Sequence, residues 1–194
     1  FDAMTGAIMA VHPITGRAGK SLSDVWAQGP QTYLGLTVAG FPNLFMITGP
    51  GSPSVLASMI QAIEQHVDWL ADCLGHMRET GARSIEPLQA DEDAWVEHVN
   101  DVSTVSLRST CSSWYVGANI PGRPRVFMPY IGGFPVYVQK CNEVMNNAYE
   151  GFVLKGARAN NAPPQVQFTE RWQVPLDIEV ISPAAVAAKR VPVV

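Results

Sequence analysis

The sequence predicts an α/β fold, and two adjoining features indicate it. Residues 43–48 form a continuous apolar run with the length of a fully buried strand. The run ends at the tight turn Gly49-Pro50-Gly51-Ser52-Pro53, and apolar residues at helical spacing follow it. A strand that ends in small residues and leads into a long helix is typical of open α/β sheets, in which ligands bind at the carboxyl edge.

The long helix is predicted by apolar residues that recur at steps of one, three and four along the chain. Ser52 and Pro53 have the residue types of an N-cap and a first helical position, and Gly81 is typical of a helix end. We expect the inner face of this helix to consist of Val55, Leu56, Met59, Ile60, Ile63, Val67, Leu70, Leu74 and Met77.

Shorter patterns predict the other elements. These are a strand at 7–11, a helical turn at 21–27 with Trp26 inside, a helix that begins at Asp91-Glu92-Asp93 and buries Trp95, Val99 and Val102, an edge-like strand at 125–131, a helix at 136–147 and a closing strand at 152–154. Residues 107–124 are expected to be irregular. The composition changes after residue 154, so we divide the chain into one domain over 1–154 and an extended or linker-like C-terminal extension over 155–194.

The chain has little charge for its size. Charged residues make up 15% of its 194 residues, against about 25% in ordinary soluble domains, and the net charge is −4. No apolar run approaches the roughly 18 residues of a membrane span, and no basic stripe is available for a phosphate backbone. We therefore expect no membrane span and no nucleic-acid binding, but a surface that something else covers.

The cysteines and the N-terminus bear on location and metal binding. Cys73, Cys111 and Cys141 are widely spaced, without a CxxC pair or clustered histidines, so we expect reduced, buried thiols and no metal site. No basic and apolar leader follows Phe1. A cytoplasmic protein is expected, in which this chain continues from residues before Phe1.

The predicted strand, turn and helix form the first candidate site. A helix that starts here would direct unpaired N–H groups and the positive end of its dipole toward the sheet edge, which favours an electron-rich oxygen by about 0.3–1 kcal/mol. Gly49, Gly51 and Ser52 are small enough for a flat ring to approach the backbone. An ordinary capped core helix explains the same residues, and the pattern leaves both interpretations open.

Two further segments carry candidate residues. Glu64 and Asp68 flank His66, but carboxylates four residues apart on a helix share its polar side, so a solvated or interdomain face is predicted rather than a catalytic histidine. Trp114 and Tyr115 lie in a glycine-containing loop, where an indole either contacts a ligand or packs on the core. No spacing in the chain pairs a nucleophile with a base, so no catalytic residue is assigned.

Six ordered blocks of the sequence carry a resemblance to a known family. They are FDAMTGAI, GPQTYLGL, AGFPNLFMITGPGSPSVLASM, EQHVDW, SWYVGANIPGRPRVF and YEGFVL, and together they extend over residues 1–154. In this order and at these intervals they resemble the C-terminal part of Baeyer–Villiger monooxygenases. The likeness is nearest to the phenylacetone and steroid monooxygenase branch, and the cyclohexanone monooxygenases are more distant.

The resemblance implies a flavoprotein with two dinucleotide-binding domains, of which this chain is the C-terminal portion of the Rossmann-like FAD-binding domain. Such enzymes use FAD and NADPH to insert one oxygen atom of O2 beside a ketone carbonyl, giving an ester or a lactone. The family's glycine-rich cofactor loops and its active-site arginine would lie before Phe1. The fragment alone is therefore expected to be inactive, and the N-terminal portion of the same enzyme is its expected partner.

The resemblance also assigns roles to individual residues. It implies that Met59, Gly51 and Ser52 contact FAD, and that Trp114 reaches the nicotinamide nucleotide. Residues 54–56 match the loop that shapes substrate choice, and they are Ser54, Val55 and Leu56.

Two alternatives remain open. The first is a non-catalytic remnant of the flavoprotein fold, in which the flavin-facing surface has become a binding face. The second is a related N-hydroxylating or flavin-containing monooxygenase, against which the GPGSPS and SWYVGAN blocks argue.

Overall fold

One long helix organises the described part of the chain. The computed structural model describes residues 11–54, 56–104, 106, 113–118, 121–122 and 124–156. The elements are α1 (Leu22–Val25), α2 (Met59–Thr80), β1 (Ser84–Pro87), α3 (Gln89–Ser103), α4 (Phe134–Asn146) and β2 (Phe152–Lys155), with 3-10 turns at Arg17–Gly19, Trp26–Gln28 and Trp114–Val116. The main core gathers side chains from α2, α3, α4 and β1, and a smaller cluster surrounds Leu22 and Trp26.

The sheet is small and antiparallel. Strands β1 and β2 pair in a register that places Ser84 opposite Lys155 and Pro87 opposite Phe152. The predicted closing strand at 152–154 is confirmed as β2. Strand β1 was not predicted from the sequence, because it has only four residues, too few for a clear period, and one of them is a proline, which is unusual in strands.

Three predicted helical segments are confirmed within two or three residues. Helix α3 buries Trp95 and Val99 as expected, and Val102 packs against the same core. Helix α4 corresponds to the prediction at 136–147. The turn at 21–27 is α1 followed by a 3-10 turn, with Trp26 buried.

The predicted strand at 43–48 is wrong. Asn43 has a φ of 61° and Thr48 a φ of 55°, and a left-handed backbone cannot belong to a β-strand. Between them no strand forms, and the Met46 N–H donates a single hydrogen bond of 2.8 Å to the Leu36 carbonyl. An apolar run becomes a strand only where another backbone pairs with it along its length, and the described residues provide no such partner here.

Helix α2 starts six residues later than predicted, and the roles expected of Ser52 and Pro53 at its start are wrong. Its N-cap is Ser58, whose hydroxyl does not cap the helix. Pro53 instead forms an isolated parallel bridge with Tyr130. The Tyr130 N–H bonds the Ser52 carbonyl at 2.9 Å, and this pairing keeps Ser52 and Pro53 outside the helix. The predicted end is confirmed, since Gly81 is a left-handed C-cap.

The face of α2 that was predicted to be buried is mostly exposed. Ile60 is 70% exposed and Leu74 46% exposed. Met77 alone of that set is buried, Leu70 is half-buried, and Val55 lies outside the described residues. The side chains that pack into the core are Ala62, Gln65, His66, Trp69, Cys73, His76 and Met77. Both faces of α2 carry apolar residues. The Trp69 indole N–H donates to the Cys141 carbonyl of α4 at 3.2 Å, and this hydrogen bond favours burial of the Trp69 face.

Other expectations are settled only in part. The predicted strand at 7–11 lies outside the described residues except for Val11, which is helical and exposed. The edge-like strand predicted at 125–131 is wrong, because these residues form no named strand and only Tyr130 makes an isolated bridge, with Pro53. Half of 107–124 and all of 157–194 lie outside the described residues. Cys73 and Cys141 are buried and free, as expected, and Cys111 is not described. Across the described ranges, none of the helices has the length and apolar character that a membrane crossing requires.

Gly35 and Ser52 are too close to admit a side chain between them. Gly35 has a φ of +71°, and a Cβ placed on it would lie 2.5 Å from the Ser52 Cβ. Gly19 has a similar φ of +76°, but nothing lies within 4 Å of a Cβ built there. These two glycines therefore separate the cost of a left-handed backbone from the cost of a steric clash.

We predict that Gly35→Ala lowers the free energy of unfolding by about 3 kcal/mol or more, because overpacking adds to backbone strain. Gly19→Ala, the matched control, should cost about 1 kcal/mol from backbone strain alone. Urea unfolding followed by tryptophan fluorescence measures both. Equal losses in the two variants would contradict the close packing at Ser52.

Candidate functional site

Residues 49–52, called here the glycine turn, pack against the neighbouring turn at 32–37. The Thr32 hydroxyl donates to the Pro50 carbonyl at 2.5 Å, and the Gly49 N–H donates to the Gly35 carbonyl at 3.1 Å. A Cβ on Gly49 would lie 2.5 Å from the Gly35 oxygen. Glycine is therefore required at both turns, because their backbones touch without room for a side chain.

Hydrogen bonds within the chain occupy the backbone groups of Gly51 and Ser52. The Gly51 N–H donates to the Met128 carbonyl at 2.6 Å, and its own carbonyl accepts the Trp95 indole N–H at 3.1 Å. The Ser52 N–H and hydroxyl both donate to the Gly49 carbonyl. The predicted contact of Gly51 and Ser52 with FAD stays a prediction, and their N–H groups are not free to make it.

The start of α2 presents a more open surface. Leu56 is 60% exposed and Met59 is 41% exposed, while Ser54 is half-buried. The first N–H groups of a helix have no partner within it, and the Ser58 hydroxyl does not supply one. An exposed apolar surface beside the positive end of a 22-residue helix suits a flat aromatic ring that carries negative charge, as the reduced flavin of FAD does. Val55, predicted to contact substrate, lies outside the described residues.

Met128 connects the glycine turn to the segment that carries Trp114. Its carbonyl accepts the Gly51 N–H, and its own N–H donates to the Tyr115 carbonyl at 3.0 Å. Trp114 begins a single 3-10 turn, is 36% exposed, and has its ring centroid 3.9 Å from that of Tyr115. The glycine turn, which carries two of the predicted FAD contacts, and the segment of Trp114, the predicted nicotinamide contact, thus both form hydrogen bonds with the backbone of Met128.

A series of hydrogen bonds through the buried side chains of His66 and Tyr137, called here the His66 relay, was not predicted from the sequence. The His66 Nδ1 accepts the Thr48 N–H at 2.9 Å, so the neutral ring carries its proton on Nε2. Nε2 then donates to the Tyr137 hydroxyl at 2.8 Å, which donates to the Leu34 carbonyl at 2.7 Å. Burial lowers the pKa of His66 to about 4.

The solvated or interdomain face predicted around His66 is therefore wrong for His66 itself, which is fully buried, while Glu64 is exposed. The available signal was helical spacing, because His66, Trp69 and Cys73 follow one another at steps of three and four.

Burial also opposes the ionisation of three other groups in the core. Burial raises the pKa of the Cys141 thiol and of the Tyr130 hydroxyl to about 12 each. Burial also raises the pKa of Glu92, whose carboxylate accepts the Ala39 N–H at 2.7 Å. In the described part of the chain, no group of three or more His, Cys, Asp or Glu side chains could hold a metal ion.

Comparison with known sequences gives a consistent picture. The chain is 39% identical over 155 residues to the acetone monooxygenase (methyl acetate-forming) of Gordonia sp. strain TY-5, covering 79% of this chain and 29% of that protein. It is 35% identical over 153 residues to a Baeyer–Villiger monooxygenase of Pseudooceanicola batsensis, with coverages of 79% and 28%. It is 36% identical over 154 residues to a phenazine N-monooxygenase of Lysobacter antibioticus, with the same coverages. No model of a known protein family matches the chain.

Solved structures agree with the sequence comparison. An oxidized steroid monooxygenase bound to NADP superposes with a TM-score of 0.72 at 45% identity, covering 81% of this chain and 28% of that one. The OTEMO complex with FAD and NADP superposes with a TM-score of 0.65 at 33% identity, covering 72% and 25%. The fold is that of a segment of flavoprotein monooxygenases with two dinucleotide-binding domains, which confirms the predicted fold class.

The sequence relationship narrows this class further. The homologues of this chain are Baeyer–Villiger monooxygenases, and the resemblance found in the sequence is confirmed. The chain spans less than a third of the length of these relatives. Its neighbours among solved structures bind NADP and FAD.

We predict that acid weakens this protein through His66. The unfolded histidine has a pKa near 6.5 and the folded one a pKa of about 4, so between these values only the unfolded chain takes up the proton. The free energy of unfolding should fall between pH 6.5 and 4 by on the order of 3 kcal/mol more in the wild type than in His66→Asn. Urea unfolding across this pH range measures the difference.

His12 is exposed and provides the matched control. His12→Asn should keep the pH dependence of the wild type. A His66→Asn variant that loses stability with acid as steeply as the wild type would contradict the buried, neutral state of His66.

Proposed function

We propose that this chain is the C-terminal portion of the FAD-binding domain of a Baeyer–Villiger monooxygenase. The reaction converts a ketone, O2, NADPH and a proton to an ester or lactone, water and NADP+. The observation that carries the proposal is the match over about 80% of this chain to enzymes of that type, at up to 45% identity. The fragment alone is proposed to be inactive, because the chain spans less than a third of the length of these enzymes.

The exposed face of α2 supports the proposal of a larger protein. The 22-residue helix buries one side in the core, and its other side presents aliphatic residues to solvent, including Ile60, Ile63 and Val67. A row of exposed aliphatic side chains along a helix is typical of a surface that another part of the protein covers. We propose that the N-terminal portion of the same enzyme, together with FAD, covers this face.

When bound, FAD supplies the activation of O2 with electrons from NADPH. In our proposal the residues of this chain bind and orient the reactants and exclude water from them. Met59 would lie against the FAD ring with Gly51 and Ser52 beside it, and Trp114 would contact the nicotinamide nucleotide. Substrate choice would depend on Ser54, Val55 and Leu56.

The domain division and the location complete the proposal. Residues 1–154 would form the FAD-domain portion, and 155–194 would be an extension of it. The buried, free Cys73 and Cys141 are consistent with a reducing compartment, and we propose the cytoplasm. A second candidate is N-oxidation of a ring nitrogen in a heteroaromatic compound, because a phenazine N-monooxygenase is 36% identical to this chain.

Expression of the complete reading frame that encodes this chain tests the function. We predict a yellow protein with stoichiometric FAD that consumes NADPH and O2 and converts at least one ketone to its ester. The substrates to compare are acetone, cyclohexanone, cyclopentanone and a ketosteroid, with phenazine as the N-oxidation probe. Mass spectrometry of the products identifies the inserted oxygen when 18O2 is supplied.

Each outcome decides between the candidates. Ester or lactone carrying one 18O atom supports the proposal, and phenazine N-oxide without any ester supports the second candidate. A colourless, cooperatively folded protein that consumes no NADPH would establish the non-catalytic remnant instead. The 194-residue chain by itself is the control, and it should convert no substrate.

We further predict that Trp114→Ala in the complete enzyme raises the KM for NADPH about tenfold and leaves FAD content unchanged, because an indole stacked on a nucleotide contributes about 1–3 kcal/mol of binding. Trp114→Phe retains an aromatic ring and should lose less. Steady-state kinetics and the flavin absorbance per protein measure the two effects. An unchanged KM and turnover with NADPH would refute the assignment of Trp114.

A further inference from the structure

The His66 relay joins two residues that both have strained backbones. It begins at the N–H of Thr48, whose φ is 55°, and ends at the carbonyl of Leu34, whose φ is 57°. A left-handed conformation is unusual for a β-branched or bulky side chain and costs about 1–3 kcal/mol. Such strain persists only where the surrounding structure holds it, and here the same hydrogen-bonded side chains reach both residues.

The two side chains at the centre of the relay are fully buried, and the hydrogen bonds have one consistent direction of donation. His66 and Tyr137 are both 0% exposed, and their rings lie 5.6 Å apart between α2 and α4. Each N–H or O–H in the chain of bonds has one acceptor, from Thr48 through His66 and Tyr137 to Leu34. This direction of donation requires that the His66 proton is on Nε2, because a proton on Nδ1 would point at the Thr48 N–H.

The relay acts on the segment that leads to the candidate site. Thr48 directly precedes the glycine turn, and Leu34 directly precedes Gly35, whose carbonyl accepts the Gly49 N–H. The two strained residues therefore fix both sides of the contact between the turns. Six residues after Thr48 the chain reaches Ser54, the first of the residues proposed to shape substrate choice.

We propose that His66 is a positioning residue, which holds Thr48 left-handed through its Nδ1 atom and so sets the glycine turn and Ser54, the first of the residues proposed to shape substrate choice. The positioning role rests on the proposed function, because it assigns the loop to the substrate. The hydrogen bonds themselves do not depend on it.

Two variants of His66 separate its two ring nitrogens. In His66→Asn the side-chain oxygen lies near the former Nδ1 position and can still accept the Thr48 N–H. In His66→Gln the amide extends to the former Nε2 position and can still bond Tyr137, but the acceptor for Thr48 is lost. The relay predicts that the asparagine variant retains the position of the turn and that the glutamine variant does not.

The complete enzyme provides the readout. We expect His66→Gln to raise the KM for the ketone about tenfold, with the KM for NADPH within twofold of the wild type, and His66→Asn to restore the ketone KM to within threefold. A purely structural role would lower the fraction of active enzyme and hence kcat, without raising the KM. A ketone KM unchanged in His66→Gln, or raised equally in both variants, would overturn the proposal.

Hydrogen exchange followed by mass spectrometry gives a readout that does not depend on activity. Peptides that cover residues 44–52 should exchange at least tenfold faster in His66→Gln than in His66→Asn, and equal rates would overturn the relay. If the wild type oxidises no ketone, the proposed function fails while this measurement still decides whether the relay holds Thr48.

A second-site change keeps the test decisive if His66→Gln folds poorly. Thr48→Gly removes the strain of a left-handed β-branched residue while it keeps the backbone N–H. The double variant Thr48→Gly with His66→Gln should recover expression and most of the ketone KM, because the turn no longer needs the relay. A double variant no better than His66→Gln alone would overturn the proposal.

Discussion

Helix α2 has two faces with apolar residues, and the rest of the structure depends on which of them meets the core. Trp69 bonds the backbone of α4, and His66 bonds Tyr137 of the same helix, so this side is fixed by directed hydrogen bonds as well as by burial. The aliphatic side, which includes Ile60 and Leu74, remains exposed. Fully burying one such side chain is worth about 1.5–3 kcal/mol, which gives a covering partner a considerable driving force.

The second constraint is the close contact of two turns. Gly35 and Gly49 bring their backbones together without side chains between them, and Ser52 is buried against the same point. Hydrogen bonds within the chain already occupy the N–H groups of Gly49, Gly51 and Ser52, so these groups are not available to a cofactor. The surface available to a ring therefore lies at Leu56 and Met59, at the start of α2, rather than at the turn itself.

The two constraints meet at His66. Its side chain belongs to the buried face of α2, and its Nδ1 atom holds the residue that precedes the glycine turn. A shift of α2 relative to α4 would change the position of His66 against Tyr137, and Thr48 would move with it. The position of the candidate site is thus coupled to the packing of the two helices.

Local patterns in the sequence were sufficient for α3, α4 and β2, for the end of α2 at Gly81, and for the family of the homologues. These features depend on residues close together in the chain, such as a helical stripe or a glycine at a helix end. The positions of β1, of the strained residues Asn43 and Thr48, and of the start of α2 depend instead on distant partners. The Tyr130 N–H, for example, bonds the Ser52 carbonyl from a point far along the sequence.

The sequence by itself determined that α2 exists, where it ends, and that it carries more apolar residues than one face needs. Only the tertiary structure decided which face turns inward. The spacing of apolar residues does not distinguish between two apolar faces of a helix, because the free energy gained by burial depends on the apolar area and not on its orientation. Hydrogen bonds have direction, and the partners of Trp69 and His66 lie more than 70 positions away on α4, where no local pattern could reveal them.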